Sequence, residues 1–515
     1  MRRNANKAPS VAIIGAGLSG IGLAVRLKRA GLTDFEVFDR AAGPGGTWWH
    51  NRYPGVAVDV PSSLYSYSFK KAGNWKRAHA TGEELRGYIE DVIAENGIGG
   101  HFRYEAEVTA LRWQEAEQHW DVVFATGETR RFQVVVPAVG MLDTPRYPAL
   151  PGMADFEGPL FHTARWEDHD LAGKRVAYVG GGSTAAQVVP ALAGQVGQLD
   201  VYQRSPHWAL PKDDPEISEL QRRRLRGRPW LLWRERWRAF KLFESLGAAN
   251  EAGNTMAPVF EGIARQLLEV VEDDAVRDAL TPDYPIMCKR PILTSPEYFA
   301  AFNHKDVALV PKAVAGFTAD GVIDADGVER KADAVILSTG FQATNYLATI
   351  EVTGRDGERL KDLWERSHGP YAFLGMLVPR FPNLLIMYGP NSNVVQSTIF
   401  VQECQAKFIT RVLKRMARRR WRTVQVRPWA AEAARAWIDS RLSTYVASVG
   451  GCSNWMLNEH GKVVTLFPGN GKLWWALTRF SDPVAVVGGQ EAARHAAPAT
   501  AQVADGAELE VPRAA

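Results

Sequence analysis

Two short apolar runs stand out along the chain, each followed at once by glycines and then by helical periodicity. The first is Val11-Ala12-Ile13-Ile14. Four apolar residues without polar alternation fit a strand buried on both faces, as in a parallel sheet. Gly15-Ala16-Gly17-Leu18-Ser19-Gly20 follows, then residues 21–30 with apolar positions at helical spacing, stopped by Gly31. Residues 35–38 predict a second strand, which ends in Asp39. The same order returns at Val176-Ala177-Tyr178-Val179, with Gly180-Gly181-Gly182-Ser183-Thr184-Ala185 behind it and a strand over 199–202 that ends in Gln203-Arg204-Ser205.

Strand, glycine turn, helix and strand in this order build a dinucleotide-binding βαβ unit. Gly15 permits the tight turn, Gly17 lets backbone approach a pyrophosphate, and Gly20 lets the helix pack against the strand. The helix N-terminus then turns free N–H groups and a positive dipole end toward phosphate. Asp39 stands nineteen residues after Gly20, where a carboxylate can accept ribose hydroxyls and disfavour a 2′-phosphate. That site suits FAD or NAD. Gly43-Pro44-Gly45-Gly46-Thr47-Trp48-Trp49 comes directly after it and favours FAD, since such a segment in flavin-binding proteins continues along the dinucleotide, where Trp48 can lie near the isoalloxazine; the alternative is that Trp48 and Trp49 are core aromatics. In the second unit Ala185 replaces the third glycine, and the strand end carries no acid. Arg204 can pair with a 2′-phosphate and Ser205 can donate to it, which specifies NADPH. One chain with both sites implies hydride transfer from nicotinamide to flavin. The fate of the reduced flavin, whether to oxygen, a quinone or a protein, stays open on these residues.

Composition narrows the class. With 515 residues, 46% hydrophobic and 23% charged, the chain is a multi-domain globular protein. Lys and Arg exceed Asp and Glu by only 61 to 57, too little to argue for nucleic acid. The clusters at Arg222–Arg224 and Arg418–Arg420 read as solvated helix faces. Three cysteines, none at C-x-x-C spacing, support neither a dithiol redox pair nor a metal site, and fit a reducing cytoplasm. The first ten residues leave no room for a signal peptide, and no apolar run reaches the length of a transmembrane helix.

Between the two units lies Phe156-Glu157-Gly158-Pro159-Leu160-Phe161-His162-Thr163-Ala164-Arg165-Trp166-Glu167. This resembles the F-x-G-x-x-x-H-x-x-x-W-P/D fingerprint of type I Baeyer–Villiger monooxygenases, departing only at Glu167. Sister families of flavin-containing and N-hydroxylating monooxygenases usually carry Tyr or Phe where this chain has Trp166. The resemblance runs from about residue 10 to about 480. It includes Asn51-Arg52-Tyr53-Pro54-Gly55, Asp59, Tyr65 to Phe69, Tyr284-Pro285 with Lys289-Arg290, Ser338 to Phe341, Phe381 to Leu384, Gly389-Pro390-Asn391 and Cys452-Ser453-Asn454-Trp455, with Met456 where Tyr is usual.

The resemblance implies an α/β fold of two Rossmann-like domains. The NADPH domain (151–334, with a helix-rich insert over 213–280) is inserted in a discontinuous FAD domain (1–150 and 335–490), and 491–515 form a mobile tail. It implies a monooxygenase that uses NADPH and O2 to place one oxygen next to a ketone carbonyl through a C4a-peroxyflavin, giving an ester or lactone. Arg290, whose cation favours the anionic peroxide, and Asp59, its partner, are the implied catalytic pair. Further implied cofactor contacts are Ser19, Thr47, Tyr65 and Val108 for FAD, and Ser183, Thr184, Gln187, Lys289 and Trp455 for NADP. His162 is expected to be structural, on a linker that couples the domains. Trp230, Trp233, Trp237, Phe240 and Phe243 recur at helical spacing and are expected to pack in a core, with a substrate-tunnel wall as the alternative. A flavin-containing monooxygenase acting on amine or sulfide and a non-oxygenating NADPH reductase are rival readings. The expected partners are O2 and a small ketone, with no nucleic acid, in a monomer or weak oligomer.

Overall fold

The computed structural model describes residues 8–70, 74–489 and 491–492, so all but two residues of the proposed tail lie outside the described part. Val11–Ile14 sits at the centre of a four-stranded parallel sheet, with Phe35–Phe38 on one side and Val134–Pro137 on the other. All eight residues of the strands Val11–Ile14 and Val134–Pro137 are buried, which is why neither shows alternation. The helix Leu18–Arg29 crosses between the first two strands and packs on the long helix Thr398–Arg419 from the far end of the chain. A four-stranded sheet with Val108–Gln114 and His119–Phe124 antiparallel at its middle completes this half.

The second parallel sheet has five strands in the order Val307–Val310, Gln198–Tyr202, Arg175–Val179, Ala334–Leu337, Leu160–His162. The largest hydrophobic core draws on residues 11–141 and again on 346–486, and skips the stretch between them. Smaller cores over residues 53–336 and 156–337 surround the second sheet. The chain is thus two Rossmann-like α/β units, one threaded into the other, with the helices Glu219–Gly227, Pro229–Ala248, Ala257–Leu268 and Asp274–Leu280 emerging from the second.

Three expectations are corrected. The fingerprint around His162 is no linker: Leu160–His162 is the edge strand of the second sheet, paired with Val335–Leu337. Its glycine is required there, because a Cβ on Gly158 would stand 2.6 Å from the Asp333 carbonyl. The aromatic stripe is a core only at its end, where Phe243 is buried and Phe240 packs against the same cluster. Trp230, Trp233 and Trp237 face outward, while Leu231, Ala239 and Phe243 take the buried side of the same helix. Helical periodicity identifies a face but not which way it turns. Finally, Cys288 and Cys452 are not free thiols. They are joined in a disulfide across 164 residues, which spacing in sequence could not reveal. Cys404 is free and buried.

Candidate active site

The first dinucleotide unit makes a cradle of backbone. Gly15 (φ +112°) sits where a Cβ would be 2.7 Å from the Ala138 carbonyl oxygen, so the turn closes only around glycine. Gly17 is the extended N-cap of the helix Leu18–Arg29, and a Cβ on Gly46 would reach its Cα at 3.0 Å. Two glycine loops therefore lie against each other, joined by a hydrogen bond from Gly45 N to Ala16 O at 2.9 Å. Asp39 accepts from Ala16 N (2.6 Å) through one oxygen and from Ala41 N (2.8 Å) through the other, which leaves acceptor capacity on both. Burial pushes its carboxyl up, against the pull of those two N–H groups. Gly15, Gly17, Ser19, Asp39, Thr47, Trp48, Tyr65 and Val108 line one continuous cavity. Gly20 stands behind it against the Gly15 backbone. These residues fit a dinucleotide with an unphosphorylated ribose.

The second unit gathers cations instead. Gly180 (φ +145°) is pressed on the Ser338 carbonyl and Gly181 on the Gln203 side chain, whereas a Cβ on Gly182 would meet nothing within 4 Å. Ser183 is exposed, and Thr184 is the N-cap of the helix Ala185–Leu192. Arg204 is exposed at the strand end. Lys289, buried, donates from Nζ to Ser205 Oγ at 2.7 Å and lies 4.5 Å from the Tyr284 ring centroid. Burial and then the neighbouring Arg204 cation hold the Lys289 ammonium below its usual range. Two like charges brought beside a hydroxyl fit an anion such as a 2′-phosphate. His207 is kept neutral there, its pKa lowered to about 4 by burial and by Lys289.

Arg290 follows Lys289 directly and points into the first cavity, beside Trp48, Tyr65 and Trp455. Its Nη2 lies 3.5 Å from Asp59 Oδ2, so the expected pair forms. Trp48 Nε1 donates to Tyr65 Oη at 3.2 Å, fixing the two rings edge to face. Trp455 stands on the rim, 37% exposed, while Met456 beside it is buried in a small apolar core, so the departure at that position keeps an apolar anchor. The Cys288–Cys452 bond ties the Trp455 segment to the Lys289-Arg290 segment.

Gln187 is placed elsewhere. Its amide donates to Ala57 O (3.0 Å) and accepts from Ala57 N and Tyr53 Oη (3.3 and 3.2 Å), joining the two units. His162 is buried, accepts from Ala164 N through Nδ1 and packs between Tyr147 and Phe341. Burial lowers its pKa to about 4, so it remains neutral, and it is not part of the cavity lining.

Residues 13–80 match the NAD(P)-binding Rossmann-like domain. A Baeyer–Villiger monooxygenase of Pseudomonas aeruginosa is 38% identical over 480 residues, spanning 92% of this chain and 90% of the relative. Another, from Streptomyces coelicolor, is 36% identical over 463 residues, 89% and 88% of the two chains. This chain belongs to the Baeyer–Villiger monooxygenase family. Cyclohexanone monooxygenase from Rhodococcus sp. Phi1, solved bound to NADP+, superimposes with a TM-score of 0.84 at 27% identity, over 93% of this chain and 99% of that one. As a Baeyer–Villiger monooxygenase the chain is an FAD-dependent, NADPH-using enzyme. No helix among the described residues is long and apolar enough to cross a membrane.

Sequence reasoning missed part of this Baeyer–Villiger monooxygenase cavity. Tyr388, Thr398 and Gln402 line it, the last two from the first turns of the helix Thr398–Arg419. Tyr388 lies directly before Gly389-Pro390-Asn391, a signal that could have found it. Nothing in the sequence marks the other two. Arg40 pairs with Asp143 at 3.0 Å on the opposite wall, and its place beside Asp39 was the available clue.

Proposed function

We propose that the substrate is a small-molecule ketone, oxidised according to ketone + O2 + NADPH + H+ → ester or lactone + H2O + NADP+. When bound, FAD and NADPH supply the hydride transfer and the activation of O2. This chain holds and orients them. Asp39 takes the FAD ribose, and the paired glycine loops admit its pyrophosphate. Arg204, Ser205 and Lys289 take the 2′-phosphate of NADPH. Arg290 presents a fixed cation to negative charge that develops at the flavin end, since a guanidinium keeps its proton at working pH. Asp59 orients that guanidinium. Trp455, on the cavity rim, would donate its indole N–H to the ribose of the nicotinamide half. One observation carries the reading: two consecutive residues serve two sites, Lys289 against Ser205 and Arg290 against Asp59.

Turnover under isotopically labelled O2 tests it. With a series of linear, cyclic and aryl ketones, the expected product is an ester or lactone carrying one labelled oxygen per NADPH consumed. Conversion of all NADPH to H2O2 whatever the ketone would turn the assignment to a reductase. Label found only in sulfoxide or N-oxide would turn it to the amine and sulfide oxidisers. Arg204→Ala should raise KM for NADPH about 10- to 100-fold while leaving KM for NADH within about twofold, because a charge-assisted contact to the 2′-phosphate matters only to the phosphorylated cofactor. Equal changes for both cofactors, measured by steady-state kinetics, would remove Arg204 from that role.

A further inference from the structure

The outward tryptophans of the insert form one surface with a second helix. Trp230, Trp233 and Trp237 are 58, 57 and 39% exposed. The rings of Trp233, Trp237 and Phe240 stack in a row, with centroids 6.2 and 5.7 Å apart and planes within 12° and 7° of parallel. The row borders an apolar cavity of about 490 Å3, which the helix Gly471–Phe480 closes on the other side with Trp475 and Lys472. Trp475 and Phe480, set edge to face, are 45 and 62% exposed. Aromatic area of this extent left in water marks a surface that something covers.

Charge says what covers it. Residues 219–248 hold nine Arg and Lys against three Glu; Arg236 turns inward to the Ser63 and Ser66 carbonyls and Glu403, and without it the segment carries a net +5, still above the +4 of the whole chain. The cations interleave with the rings: Arg234 lies 5.7 Å from the Trp230 ring centroid and Lys241 5.3 Å from that of Trp237. Arg223, Arg224 and Arg228 stand exposed just before the aromatic helix. Tryptophan rings prefer the headgroup level of a bilayer, and neighbouring Arg and Lys bind anionic headgroups.

We propose that this face docks on an anionic lipid surface, with the helix Pro229–Ala248 lying in the plane of the headgroups and its tryptophan row facing the acyl boundary. The attachment is peripheral, since no helix among the described residues can span a bilayer. It stands independently of which substrate the enzyme oxidises.

Flotation of the FAD-loaded enzyme with phosphatidylcholine vesicles, with and without phosphatidylserine, tests the docking. The expected result is co-flotation with the anionic vesicles only, a blue shift of tryptophan emission on binding, and release by high salt. Arg223→Glu with Arg224→Glu should weaken vesicle binding tenfold or more, at about a factor of five per basic charge removed, and separately Trp230→Ser with Trp233→Ser should weaken it tenfold or more by removing the apolar area that enters the headgroup layer. Both variants should keep wild-type NADPH oxidation in the absence of vesicles, which shows that they fold. Absence of co-flotation at low salt overturns the proposal. So does binding lost in the arginine variant but unchanged in the tryptophan variant, which would mean charge attraction without aromatic docking. Concentration-dependent dimerisation that the tryptophan variant abolishes, without vesicle binding, would assign the face to a second copy of this chain instead.

Discussion

Arg290→Ala should still reduce its flavin with NADPH yet form ester or lactone about 100- to 1000-fold more slowly, the usual loss on removing one preorganised donor from a developing anion. The argument rests on position. Arg290 lines the first cavity together with Tyr65 and Trp455, whereas Arg40 in the same lining is engaged by Asp143, and Asp59 holds Arg290 at 3.5 Å rather than neutralising it inside a buried pair. Reduction moves a hydride and needs no such cation in place at the oxygen. Oxygenation passes through negative charge and does. Anaerobic reduction and product formation must therefore be measured separately on the same preparation. Arg290→Lys should recover part of the ester yield, since it keeps the charge but loses the planar fork. Unchanged ester formation in Arg290→Ala would end its assignment as a catalytic residue.

Gly20→Ala should purify with FAD occupancy reduced tenfold or more and with a lowered Tm. An added Cβ there would lie 2.0 Å from the Gly15 carbonyl oxygen and 3.3 Å from Ile13 Cγ2. Neither the turn nor the central strand can yield cheaply, so the helix Leu18–Arg29 must lift and carry its N-terminal N–H groups away from the pyrophosphate. Overpacking of this kind costs about 1–3 kcal/mol of stability, and the cofactor site takes the displacement first. Gly182→Ala is the control, because its added methyl has open space. It should leave FAD content and Tm unchanged. Full FAD occupancy in Gly20→Ala, read from the flavin absorbance of the purified protein, would show that the helix can shift without losing its grip.

The equivalent third position of the second unit is Ala185, fully buried and tolerated. The second unit therefore admits at this position the methyl that the first cannot, and the motif alone does not show which glycine is indispensable. Other parts of the site were legible in one dimension because their spacing is set locally. A strand, a turn and a helix N-terminus lie within ten residues, and the chain can close that geometry before anything else packs. The places of Asp39, Arg204 and Ser205 at strand ends were legible for the same reason, since each lies within three residues of the end of its strand.

What the sequence by itself determined was chemistry at fixed local geometry: two dinucleotide units, one ending in an acid and one in an arginine, and a fingerprint between them. Tertiary structure decided whatever depends on chain segments far apart meeting, since contact between distant residues leaves no period or spacing in the sequence to read. It joined Cys288 to Cys452, spent Gln187 on the Ala57 backbone, and set Thr398 and Gln402 beside Tyr65. It turned the Trp230–Trp237 stripe outward because the inward side of that helix was already filled by Leu231, Ala239 and Phe243.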